Sequence, residues 1–129
     1  MSRPSSSQPT EVELQILQIL WEQGAATARQ IHNVLEENRD TNYSTTVKML
    51  SVMLDKGMVR RDGSVRPQVF QAAATQKQTQ QRMLKDLVQK AYNGSIGSLV
   101  MQALSSKKAS QEDLVEIRRL LQKLEGEES

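Results

Sequence analysis

One histidine and no cysteine are all that this 129-residue chain offers toward imidazole, thiolate or zinc chemistry. His32 stands between Ile31 and Asn33 in a stretch with helical patterning, and no second ligand type follows at metal-binding spacing. It therefore reads as a packing residue and not as a ligand or general base. No Gly-rich phosphate loop, GxSxG or HExxH pattern occurs in the chain. Disulfides, cysteine nucleophiles and thiolate metal sites are excluded, no cofactor is implied, and the residues present argue against an enzyme.

What the chain does offer is cationic and hydroxyl chemistry suited to anions. The formal net charge is only +2. Between Ser44 and Phe70, however, Lys48, Lys56, Arg60, Arg61 and Arg66 face only Asp55 and Asp62. Ser44, Thr45 and Thr46 are short hydroxyl residues suited to phosphates or a thymine methyl, and Lys48 can reach guanine acceptors or a phosphate. Arg60, Arg61 and Arg66 flank an Asp62-Gly63 turn, where arginines can grip phosphates or enter a minor groove. Thr27 and Arg29 open another helical stretch whose first backbone amides suit a phosphate. Each feature also has a plainer role, the hydroxyls as caps, the arginines as guards of an edge strand, the charge run as a solvated face.

Small elements must position these side chains. With one Phe, two Tyr and one Trp, the interior must be built from Leu, Ile, Val, Met and Ala, which favours helices. Thr10-Glu11-Val12-Glu13 is a capping box that starts a first helix over 11–23, carrying Val12, Ile16, Leu17, Ile19, Leu20 and Trp21 and closed by Gly24. Thr27 caps a short second helix with Ile31, Val34 and Leu35, which the polar stretch 37–42 ends. Ser44 or Thr45 begins a third helix reaching about Lys56, with Val47, Leu50, Met53 and Leu54 inward and Thr45, Thr46, Lys48 and Met49 outward. After Gly57 the period becomes twofold. Residues 58–61, the turn Asp62-Gly63-Ser64 and residues 68–72 predict a hairpin, with Pro67 at the start of its second strand. Three helices followed by a hairpin is the order of a winged helix-turn-helix, assigned to 10–74.

Beyond Ala74 a Gln-rich segment, 75–81, leads into Met83, Leu84, Leu87, Val88 and Ala91, and Gly94 and Gly97 punctuate the chain. Ile96, Leu99, Val100, Ala103 and Leu104 form another apolar stripe. Ser110 caps a last helix, on which Leu114, Ile117, Leu121 and Leu124 recur at 3, 4, 3 spacing. Three thin helices of this kind bury little surface alone. Residues 75–125 therefore read as a dimerisation module in which Leu84, Leu87, Val88, Tyr92, Ile96, Leu99, Val100, Leu104, Leu114, Ile117, Leu121 and Leu124 meet a second copy. Packing back onto the first half of the same chain is the alternative. The fold class is mainly α, an N-terminal winged helix-turn-helix of three helices plus a β-hairpin wing followed by a three-helix C-terminal dimerisation module. Residues 1–9 are polar and Ser-rich and read as a disordered N-terminus, 126–129 as a frayed acidic tail. No apolar targeting segment follows Met1 and no apolar run approaches the roughly 18 residues of a span. The expectation is a cytoplasmic protein without direct membrane binding.

Three stretches carry a family likeness: Thr10 to Leu17 with Leu20-Trp21; Tyr43 to Leu50 with Asp55 to Asp62; and Tyr92-Asn93-Gly94-Ser95. Together they resemble the BlaI/MecI/CopY family of penicillinase repressors, over about residues 9–124. The resemblance implies a bacterial winged-helix repressor that binds a dyad-symmetric operator in double-stranded DNA as a homodimer. It also implies release by cleavage within the dimerisation module, triggered by a membrane sensor with a metalloprotease domain. The matching position reads Gln102-Ala103 where the family usually carries Asn-Phe, and the cysteine motif of the copper-responsive branch is absent. A second reading stays open, a winged-helix protein-interaction module that never touches DNA.

Overall fold

Thr10 turns the chain into its first helix by two reciprocal hydrogen bonds. The Glu13 amide donates to Thr10 Oγ1 at 3.2 Å and the Thr10 amide to Glu13 Oε1 at 3.0 Å, satisfying two donors that a helix start leaves without partners. Helix α1 (Glu11–Gln23) follows, then β1 (Ala26–Thr27), α2 (Ala28–Leu35), α3 (Tyr43–Asp55), β2 (Val59–Asp62), β3 (Val69–Ala72), α4 (Gln76–Ala91), α5 (Ile96–Ser106) and α6 (Gln111–Glu128). The computed structural model describes residues 8–106 and 108–128. The expected disorder of 1–7 and fraying of Ser129 lie outside the described residues. The fold is mainly helical, a winged helix followed by a helical C-terminal module.

The chain divides after Leu84 into two compact units. In the first, strands run in the order β1-β3-β2, all antiparallel. Ala26 pairs with Phe70, and β2 meets β3 from Val59↔Ala72 to Asp62↔Val69. A tight turn at Asp62-Gly63-Ser64 is not what forms. Asp62 remains in the ladder, the connection spans 63–68, and the Asp62 carboxylate accepts from the Ser64 amide at 2.9 Å and hydroxyl at 2.6 Å. Those two bonds hold the Asp62 carboxyl below its ordinary pKa. Gly24 and Gly57 end α1 and α3 at φ 82° and 79°, a backbone region that side chains disfavour.

The first unit closes around Ile16, Leu17, Ile19 and Leu20 of α1, Ile31 and Leu35 of α2, Leu50 and Met53 of α3, with Ala26, Val59 and Phe70 from the sheet. Trp21 packs at its edge and donates Nε1–H to the Ala74 carbonyl at 3.0 Å. Glu13 is also inside, 1% exposed, with Lys56 Nζ 2.9 Å from its Oε2. Burial pushes the Glu13 carboxyl up. The Thr10 amide and the Lys56 ammonium outweigh it, so the net pKa is lowered. This pair ties the first turn of α1 to the residue that caps the end of α3.

The unit boundary falls later than the composition change at 74/75, because the start of α4 is partly embedded, with Thr79 only 8% exposed. In the second unit, Ser95 Oγ accepts from Ser98 N at 3.0 Å as α5 begins and Ser110 Oγ from Asp113 N at 2.9 Å as α6 begins. Two expectations need correcting. Gly97 lies inside α5 and does not break it, and α6 runs through Gly126 to Glu128 where a tail was expected. Among the described residues no helix is long and apolar enough to cross a membrane.

Candidate nucleic-acid interface

Between α2 and α3 the chain builds a polar cluster. Thr27 caps α2, its Oγ1 accepting from Gln30 N at 3.1 Å while Gln30 Oε1 accepts from Thr27 N at 2.9 Å. Asn42 caps α3, its Oδ1 accepting from the Thr45 amide at 2.9 Å. The same oxygen takes the hydroxyls of Ser44 at 2.8 Å and Thr45 at 2.9 Å. His32 is 4% exposed. Its Nδ1 lies 2.9 Å from Thr46 Oγ1, and its Nε2 lies 3.2 Å from the Glu36 carboxylate. The Tyr43 ring meets His32 edge-on at 5.7 Å and carries the Arg29 guanidinium 3.9 Å from its centroid. A cation over an aromatic face is held by the ring quadrupole, so Arg29 is pre-positioned beside the first turn of α3.

From this cluster a groove opens on one side of the first unit. Thr27 and Arg29 of α2, Tyr43, Val47 and Ser51 of α3, and Arg61 and Gln68 of the wing all line it. Positions 43, 47 and 51 follow at one-turn intervals on α3, so they share a row. Lys48 is exposed on the same helix and forms no hydrogen bond or ion pair among the described residues. Arg29 and Arg61 thus border a groove whose floor is largely apolar, with Val47, Leu54 and Phe70 beside the Ser51 and Gln68 side chains, and cations so placed are suited to phosphates.

Not every expected residue reaches this face. Thr46 is 1% exposed and belongs to the core, whereas Val47, expected inside, is 41% exposed. The reason is helical phase: Thr46 lies one turn before Leu50, which with Met53 defines the inward row, and its hydroxyl is satisfied by His32. Thr46 cannot touch DNA from there. Ser44 and Thr45 are exposed, but their hydroxyl protons are committed to Asn42, and neither residue is the cap. Arg66 folds back on the wing, Nη1 donating to the Gly63 carbonyl at 2.8 Å. Arg60 faces away. Strand neighbours alternate, so Arg61 shares the side of buried Val59 while Arg60 lines a separate cleft behind the wing. Tyr43, Ser51, Gln68 and the Asn42 cap were missed by sequence reasoning. The 43-47-51 spacing and the alternation after Val59 were the available signals.

Among the residues expected to pair chains, Leu84, Leu87, Ile96, Val100, Leu104, Leu121 and Leu124 are 40–54% exposed. Tyr92, Leu99, Leu114 and Ile117 are half-buried, and Val88 is buried. Gln102 and Ala103 lie exposed within α5. Among the described residues no group of three or more His, Cys, Asp or Glu could hold a metal ion.

Comparison with known proteins adds to this geometry. A family model described as penicillinase repressor matches residues 9–123. The methicillin resistance regulatory protein MecI of Mammaliicoccus sciuri is 22% identical over 114 residues, 88% of this chain and 93% of its own length. Those of Staphylococcus aureus strain N315 and Staphylococcus epidermidis are 21% identical over the same shares.

Proposed function

We infer the function from a premise and a surface: the chain belongs to the penicillinase repressor family, and one side of its winged helix presents the groove just described. Membership makes it a transcriptional repressor and not an enzyme. The finer reading is that it represses by binding a dyad-symmetric operator as a homodimer. Helix α3 enters the major groove with Val47, Lys48 and Ser51 toward base edges, while Arg29 and Arg61 hold phosphates. Arg66 at the wing tip, together with Ser44 and Thr45 at the start of α3, borders the backbone. The observation that carries this reading is the convergence of α2, α3 and wing residues on one groove.

The exposed apolar residues from Leu84 to Leu124 support pairing of two copies, which would place two readers on two half-sites. Each arm alone binds weakly, and joining them raises the effective concentration of the second. Cleavage at Gln102-Ala103, within α5, by the protease of a membrane sensor would separate the arms and release the operator in the cytoplasm. A helical scissile bond must first open locally, so α5 would have to unwind there. Footprinting of the purified protein on the DNA upstream of its own gene tests the operator reading, with a symmetric protected site expected. Absence of any shifted band on genomic fragments would sink it. Intact protein recovered from induced cells but no longer bound to operator would remove the proteolytic step.

A further inference from the structure

Behind the wing, where β2, the residues that follow α3 and the start of α4 come together, lies a second cleft apart from the groove that Arg61 lines. Lys56, Arg60 and Arg82 line its rim and Leu17, Met58 and Ala74 its apolar wall, and no Asp or Glu lines it. Lys56 is engaged by Glu13. Arg60 of β2 and Arg82 of α4 form no hydrogen bond or ion pair among the described residues, so two guanidiniums border one concavity without a counter-charge. The seven residues before Gln8 contain no carboxylate either. Like charges gathered beside low-dielectric walls favour an anion between them, and an apolar wall with a few convergent polar groups is how small-molecule sites are built.

We propose that this cleft binds a small organic anion, with its carboxylate or phosphate between Arg60 and Arg82 and an apolar body against Leu17 and Met58. Bound there, the anion bridges β2 to the first half of α4 and fastens that helix to the reader. DNA phosphates are the rival occupant, disfavoured because Arg60 points away from the groove that Arg61 lines. The site stands or falls independently of the operator.

Trp21 is the single tryptophan of the chain, and its indole donates to the carbonyl of Ala74 in the cleft wall, so its emission reports occupancy. Octanoate and octyl phosphate are the probes, with octanol and inorganic phosphate testing body and head separately. Each octyl anion is expected to change Trp21 emission saturably, and the stronger of the two identifies the head group. Binding should weaken at least tenfold in Arg60→Gln/Arg82→Gln and for octanol. Octanoate should raise the melting temperature of the parent and not of the variant, because a ligand that binds only the native state stabilises it. The ligand-free variant should melt as the parent does, since both side chains are exposed and unpaired. No saturable change, or an equal response from the variant, overturns the proposal. So does a loss of operator affinity and salt dependence in that variant, which would assign the cleft to DNA.

Discussion

In the first unit Ile16, Ile31, Leu50 and Met53 are at most 1% exposed, whereas in the second Leu87, Ile96, Leu121 and Leu124 stand 47–54% open. Both units are built from amphipathic helices, so helix formation is not what separates them. The first adds a three-stranded sheet, and its helices meet from several directions, so each apolar stripe finds a partner within the unit. Two helices and the end of a third, with no sheet among them, cannot do that, because a stripe needs a facing surface as well as a periodic pattern. One unit therefore has its stability inside, and the other holds an apolar face outside.

The sharpest way to break this contrast is to charge the open face. Leu121→Asp with Leu124→Asp should abolish pairing and lower operator affinity about a hundred- to ten-thousand-fold, the range that joining two arms contributes. The melting of the first unit should not change. Sedimentation and gel shift read the two effects, and a monomeric parent would erase the contrast. Next in size, Leu50→Ala should cost about 2–5 kcal/mol of unfolding free energy, as a buried truncation leaves a cavity. A loss below 1 kcal/mol in denaturant titration would mean that the core is looser than its burial implies.

Smaller in effect is the Glu13–Lys56 pair. Because the folded carboxyl is held below its ordinary value, its contribution is fully present above the unfolded pKa, near ~4.3, and disappears as pH falls through the lowered folded value. Lys56→Met should raise the Glu13 pKa, so that stability starts to fall at a higher pH. Parallel melts from pH 3 to 7 compare the two chains, and superimposable profiles would disprove the coupling. The smallest effect separates the two sides of the wing. Arg61→Ala should reduce the salt slope of operator binding by about one phosphate contact, while Arg60→Ala should leave it unchanged. Equal losses would mean that DNA wraps both sides.

Local signals were legible without tertiary information. The Thr10 box, the Thr27 and Ser110 caps and the glycine stops at 24 and 57 all act through bonds within a few residues, so the spacing of side chains along the chain already implies them. Facing was harder. Val47 is apolar and Thr46 polar, yet the hydroxyl is buried because His32, 14 residues away, satisfies it. Strand β1 is two residues long, too short to show a period, and exists because β3 arrives beside it.

By itself, then, the chain determined where α1 and α2 start, where α1 and α3 stop, and that three helices and a wing precede a helical module, since these depend on neighbours in sequence. Only the tertiary structure decided that Thr46 turns inward and Val47 outward, that Tyr43 holds Arg29, and which face of β2 meets the groove beside α3. The physical reason is that a side chain's direction relative to the core depends on which distant residues bury its neighbours. For Arg60, that reversal turns an expected phosphate contact into one wall of a separate cleft.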